Sequence, residues 1–85
     1  MAPITPNPVV FRIEWCQRQR TKAHTRPEDE GWRAEEEGLR DALLHRDHTK
    51  EYRNAPPGVF ERYMRYMLGF QDGQALIRAA WVNLS

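Results

Sequence analysis

Three histidines and a single cysteine are the side chains of this 85-residue chain best suited to hold a metal ion or attack a substrate. Asp41, His45 and His48 follow an i, i+4, i+7 spacing, so on a helix all three share one face. Two imidazoles and a carboxylate so placed form a donor set for a divalent ion. That face lies opposite Trp32, Leu39 and Leu43 and is expected to be wet. A solvated polar face with Asp–His pairing at i, i+4 accounts for the same letters. No CxxC or HExxH pattern adds to the metal reading. Cys16 and His24 would complete a site only if the loop between the first two elements folded over. No metal and no cofactor is therefore expected.

Nucleophilic chemistry has as little to build on. Cys16 follows Trp15 at the end of an apolar run, where a thiol more often fills space than ionises. Thr21 and Thr25 lie near basic residues, but Thr25 is better explained as a helix cap. There is no glycine-rich phosphate loop and no GxSxG. Glu35, Glu36 and Glu37 are consecutive, so they point around a helix and do not converge on a substrate. An enzyme is not expected in a chain with so little room for a closed pocket.

Charge points to a different class of partner. Thirteen Lys and Arg against twelve Asp and Glu leave a net charge of +1. Arg12, Arg18, Arg20, Lys22 and Arg26 precede residue 28 with only Glu14 against them, whereas residues 28–41 are strongly acidic. Arg18, Arg20 and Lys22 fall on alternate positions, a candidate phosphate-contacting arm together with Arg26. Arg62-Tyr63-Met64-Arg65-Tyr66 interleaves rings and guanidinium groups in the way that single-stranded RNA is held. The near-neutral total favours a packed or protein-facing role for these residues.

The steps Gly31-Trp32-Arg33-Ala34-Glu35-Glu36-Glu37-Gly38 and Gly69-Phe70-Gln71-Asp72-Gly73 faintly resemble those of ribosome modulation factor, a small basic ribosome-binding protein. The likeness covers about a dozen positions, with a longer spacing between the halves and a different charge balance. It gives no family assignment and implies only that a ribosome or RNA partner stands as the alternative.

The elements that must position these residues read as follows. Residues 1–8 hold three prolines and form an extended arm. Residues 9–15 alternate, with Val9, Phe11, Ile13 and Trp15 on one side, which reads as a half-buried strand. Its ladder partner would be 80–84 or a second chain. Thr25-Arg26-Pro27-Glu28 fits a capping box with proline in the first turn, opening a helix over 26–52. Its buried stripe is Trp32, Leu39, Ala42 and Leu43, with Leu44 off the stripe. Asn54-Ala55-Pro56-Pro57-Gly58 is a break that lets the next helix fold back antiparallel.

Residues 58–84 then carry Phe60, Tyr63, Met67, Phe70, Gln74, Ile77, Trp81 and Leu84 at the 3-4 spacing of a buried seam. Gly69 and Gly73 lie inside it, so either one long kinked helix or a break near Gly69 is expected, the former favoured.

The expected architecture is mainly α: a helical hairpin of two long helices with one short N-terminal strand, in a single domain over 9–85. The expected function is a small non-enzymatic protein-binding module that regulates or inhibits a larger partner, of the kind common among phage and mobile-element products. Phe70, Ile77, Trp81, Leu84 and Leu44 are its candidate interface, with a homodimer as one form of partner. The alternative is RNA, DNA or ribosome binding through Arg18, Arg20, Lys22, Arg26, Arg62 and Arg65. The lone cysteine and the absence of a spanning apolar run or signal-like start predict a cytoplasmic protein without a membrane partner.

Overall fold

A computed structural model describes the backbone of residues 7–54 and 60–84 and the side chains of 7–54 and 61–80. Among these residues there are four helices and no strand: α1 (Pro8–Thr21), α2 (Arg26–Leu44), α3 (Thr49–Arg53) and α4 (Phe60–Leu84). The chain is mainly helical, as composition and periodicity predict.

The expected strand over 9–15 is instead the start of α1. Asn7 and Pro8, assigned to the arm, are its N-cap and first residue, and Asn7 Oδ1 accepts from the Val9 amide at 2.8 Å. That cap satisfies a free first-turn donor, and proline belongs at N1 where no amide is needed. Val9, Ile13 and Cys16, at i, i+4, i+7, form the buried stripe. Phe11, which the alternating pattern buries, is 55% exposed. The remainder of the arm, residues 1–6, and most of the proline break, 55–58, lie outside the described residues.

α2 begins where the capping signal places it. Thr25 Oγ1 accepts from the Glu28 amide at 3.2 Å, but Glu28 reaches one residue further back, to the His24 amide. The helix ends at Leu44 and does not run to 52. His45 adopts a left-handed conformation (φ 57°) and the Arg46 amide closes onto the Asp41 carbonyl at 2.8 Å, the turn that ends many helices. The chain resumes as the single turn α3.

α1 runs antiparallel to α2: Trp15 meets Trp32 edge-to-face at 5.0 Å, Cys16 meets Glu35, and Arg20 meets Asp29. α4 stays helical through Gly69 and Gly73, and it runs parallel to α2. Gly31 lies beside Arg65, Glu35 beside Gly69, Gly38 beside Phe70 and Ala42 beside Gly73, so partner numbers rise together along both helices. The expected antiparallel hairpin is thus replaced by a parallel pair, with residues 45–54 the described part of the return path.

Small residues explain the pairing. Ala34, Gly38 and Ala42 recur every four residues on α2, and Gly69 and Gly73 do so on α4. Such stripes let two helix backbones approach in ridge-into-groove contact. A Cβ on Gly38 would stand 2.6 Å from the Phe70 amide nitrogen, and one on Gly69 would be 2.9 Å from the Glu35 carbonyl carbon. The apolar cluster of Val9, Ile13, Cys16 and Leu39, with Leu43, Leu76 and Ile77 against it, fills the space between α1, α2 and α4.

Candidate functional site

Because α2 is flanked by both other long helices, three of its acids are buried: Glu35, Glu36 and Asp41. A buried carboxylate requires cations or donors in contact. Glu35 has Arg65 at 3.4 Å and the Cys16 thiol at 3.4 Å. Glu36 has Arg40 at 2.8 Å and Arg20 at 3.5 Å. Burial, then the neighbouring Glu35 charge, pushes the Cys16 thiol up to about 12. The expectation of an inert thiol fits that environment.

Asp41 has the densest set of partners. Its Oδ2 accepts from the Tyr66 hydroxyl at 2.6 Å and from His48 Nδ1 at 2.6 Å, while Arg46 Nε lies 3.4 Å from Oδ1. The Tyr66 hydroxyl accepts in turn from the His48 amide at 2.8 Å. Tyr52, stacked on Tyr66 at 4.4 Å, donates to Glu37 Oε2 at 2.6 Å. Glu37 Oε1 stands 3.8 Å from His48 Nδ1. The hydrogen bond to Asp41, then its charge, raises the His48 pKa above its ordinary value. Burial raises both tyrosines, and each donates to a carboxylate.

The sequence-derived trio Asp41, His45, His48 is therefore only partly assembled. Asp41 and His48 meet, but Asp41 is fully buried rather than wet, and Glu37 completes the group instead of His45. His45, at the left-handed turn, stays out of that group and lines a shallow 430 Å³ cleft with Asp41, Arg46, Phe70, Gln74, Ile77 and Arg78. Cys16 and His24 belong to no metal-competent group among the described residues. Glu37 was missed because its partners Tyr52 and His48 lie in α3 and the return path, and Tyr66 because it reaches Asp41 from α4, relations that sequence spacing does not encode.

The candidate nucleic-acid residues are largely engaged by α2. Arg20 pairs with Asp29 and Glu36, Arg26 and Arg62 with Glu30, and Arg65 with Glu35 while lying 4.0 Å over Trp32. Of the six, Arg18 and Lys22 have no ion pair among the described residues.

Of the expected apolar seam on α4, Tyr63, Met67, Phe70 and Ile77 form a half-buried flank of the contact line, which itself comprises Tyr66, Gly69 and Gly73, while Gln74 is exposed. The return path covers part of that flank, with Thr49 Oγ1 donating to Met67 Sδ at 3.7 Å. Phe70 and Ile77, two candidate interface residues, are half-buried, and Phe70 stacks on Tyr66 at 6.0 Å. Leu44 is 54% exposed. The side chains of Trp81 and Leu84 lie outside the described residues.

The face of α4 turned away from α2 was not anticipated. Met64, Leu68, Gln71, Ala75 and Ala79 repeat at helical spacing about half a turn from Gly69 and Gly73, and all five are exposed. None carries a charge, in a chain that is 29% charged. Met64 is 52% and Leu68 54% exposed. No protein-family model matches the chain, and no curated protein or solved structure shows significant similarity to it.

Proposed function

We propose that this chain is a small non-enzymatic protein-binding module, a regulator or inhibitor of a larger partner, whose contact surface is the outward face of α4. The observation that carries this reading is the uncharged stripe Met64-Leu68-Gln71-Ala75-Ala79, exposed along most of the helix. A helix apolar on one face packs that face, and one that is uncharged on the opposite face as well has a second surface to cover. The occupant this face suits is an apolar groove that takes Met64 and Leu68 as anchors at i and i+4.

Arg62 and Arg65 flank the stripe but are drawn to Glu30 and Glu35, so charge contributes to steering and rim contacts more than to a phosphate track. For the same reason the nucleic-acid alternative has the weaker support, with two of its six cations unpaired among the described residues. No helix among the described residues is long and apolar enough to cross a membrane.

Met64→Ser/Leu68→Ser removes both anchors and leaves the α2–α4 contact line untouched. Affinity capture should lose one defined partner with this double variant at unchanged helicity. Identical capture by wild type and variant would end the proposal. Sedimentation of the two proteins tells whether the partner is a second copy. A steep salt dependence of RNA or DNA binding by wild type would transfer the function to Arg18 and Lys22.

A further inference from the structure

The structure assigns a divalent transition-metal site to Glu37, Asp41 and His48, where the return path meets the C-terminal half of α2. One imidazole nitrogen and two carboxylate oxygens lie within 4.8 Å of one another there. Mixed nitrogen and oxygen donors of this kind select zinc, manganese or cobalt over calcium. Three protein ligands leave a fourth position for water, and Glu37 and His48 are each about two-fifths exposed, so an ion can enter.

Two further observations point to an ion. Both carboxylates accept from a tyrosine hydroxyl at 2.6 Å, Tyr66 on Asp41 Oδ2, the oxygen that His48 also meets, and Tyr52 on Glu37 Oε2. Outer partners of this type fix the direction of ligating oxygens and tune their basicity. Second, Asp41 is fully buried and its Oδ1 has no hydrogen-bond partner among the described residues, Arg46 standing at ion-pair distance only. A buried carboxylate with one oxygen unbonded gains from a cation on the other.

A proton now occupies the position an ion would take, in the 2.6 Å contact between His48 Nδ1 and Asp41 Oδ2. In a tetrahedral zinc site two such ligand atoms stand about 3.4 Å apart. Loading therefore requires His48 to swing out by somewhat under an ångström and to release its Nδ1 proton, which the half-exposed ring is free to do. Glu37 Oε1, at 3.8 Å from Nδ1, is already near ligand spacing. The bound ion would fasten the return path to α2, the connection that makes a parallel α2–α4 pair.

Titration of the chelator-treated protein with zinc chloride, and separately with cobalt(II), tests the assignment. One equivalent should bind, and cobalt should show the visible d–d bands of a low-coordinate nitrogen–oxygen site. His48→Ala should weaken zinc binding by more than the roughly 10–100-fold expected for loss of an outer partner, and Tyr52→Phe by about that outer-partner amount. Glu37→Gln, on a half-exposed residue, gives a second ligand variant that retains the fold. His45→Ala should bind as wild type does. Weak binding indistinguishable between wild type and Glu37→Gln, or binding abolished by His45→Ala, would overturn the site.

Discussion

Replacing Gly69 by alanine would ordinarily strengthen a helix by about 1 kcal/mol. In this chain the sign should reverse. A Cβ at Gly69 meets the Glu35 carbonyl group across the crossing, 2.9 Å from its carbon and nearer still to its oxygen, and a Cβ at Gly38 stands 2.6 Å from the Phe70 nitrogen. These neighbours are backbone atoms of two long helices and cannot rotate away. Ordinary contact begins near 3.4 Å and the Tyr66 carbonyl oxygen stands nearer still than the Phe70 nitrogen, so α2 and α4 would have to part by at least about 0.8 Å at Gly38, loosening the close-packed interior around them. Overpacking of this kind costs about 1–3 kcal/mol. Because the neighbours are rigid backbone, the upper end of that range applies, and with the propensity gain set against it each variant should lose about 2 kcal/mol, or about 8–16 °C in melting temperature for a domain this small.

Gly31→Ala is the internal control. Its added Cβ finds only the flexible Arg65 side chain, at 3.7 Å, so the propensity gain should survive and the protein should be stabilised by up to about 1 kcal/mol. Gly73→Ala meets the Ala42 methyl at 2.7 Å, and Ala42→Gly should relieve it in the double variant. Urea unfolding followed by circular dichroism reads all of these. If Gly38→Ala and Gly69→Ala match wild type or exceed it, the close parallel crossing is wrong.

Three other outcomes follow from the polar interior. Tyr66→Phe removes the hydroxyl that serves both Asp41 and the His48 amide, and should lower unfolding free energy by about 1–3 kcal/mol in the same urea assay. Cys16, pushed up to about 12 by burial and then by Glu35, should resist iodoacetamide at pH 8 in the native protein and react once the chain is unfolded. The hydrogen bond to Asp41, then its charge, favours the protonated His48 ring and raises its pKa above the ordinary 6.5. Its contribution is complete below 6.5 and is lost as pH rises through the raised value. With chelator present, the urea midpoint should fall across that window for wild type and stay flat for His48→Asn.

How far these features were legible follows the range of the interactions. The start of α2 is a local matter, and Thr25-x-x-Glu28 with Pro27 announces it. The continuity of α4 through two glycines was also readable from its phase. α1 was misread because residues 9–15 satisfy two periods at once: Val9 and Ile13 belong to both the alternating and the helical pattern. Asn7-Pro8, a cap followed by a first-turn proline, was the deciding signal. The parallel course of α4 was beyond reach, since a proline break permits a return path as readily as a tight turn. Glu35, Glu36 and Asp41 look like solvent residues when α2 is read by itself. Their burial depends on Arg65, Arg20 and Tyr66, which arrive from other helices, and the uncharged outward face of α4 is recognisable only once Gly69 and Gly73 are known to face α2.

The reading of function rests on that outward face, and site-specific photo-cross-linking probes it most directly. A benzophenone amino acid replacing Leu68 should yield one defined protein adduct in native lysate, and the same probe at Gln74, exposed on the flank beside the His45 cleft, should not. Equal labelling at the two positions, or no adduct at position 68, would contradict the account.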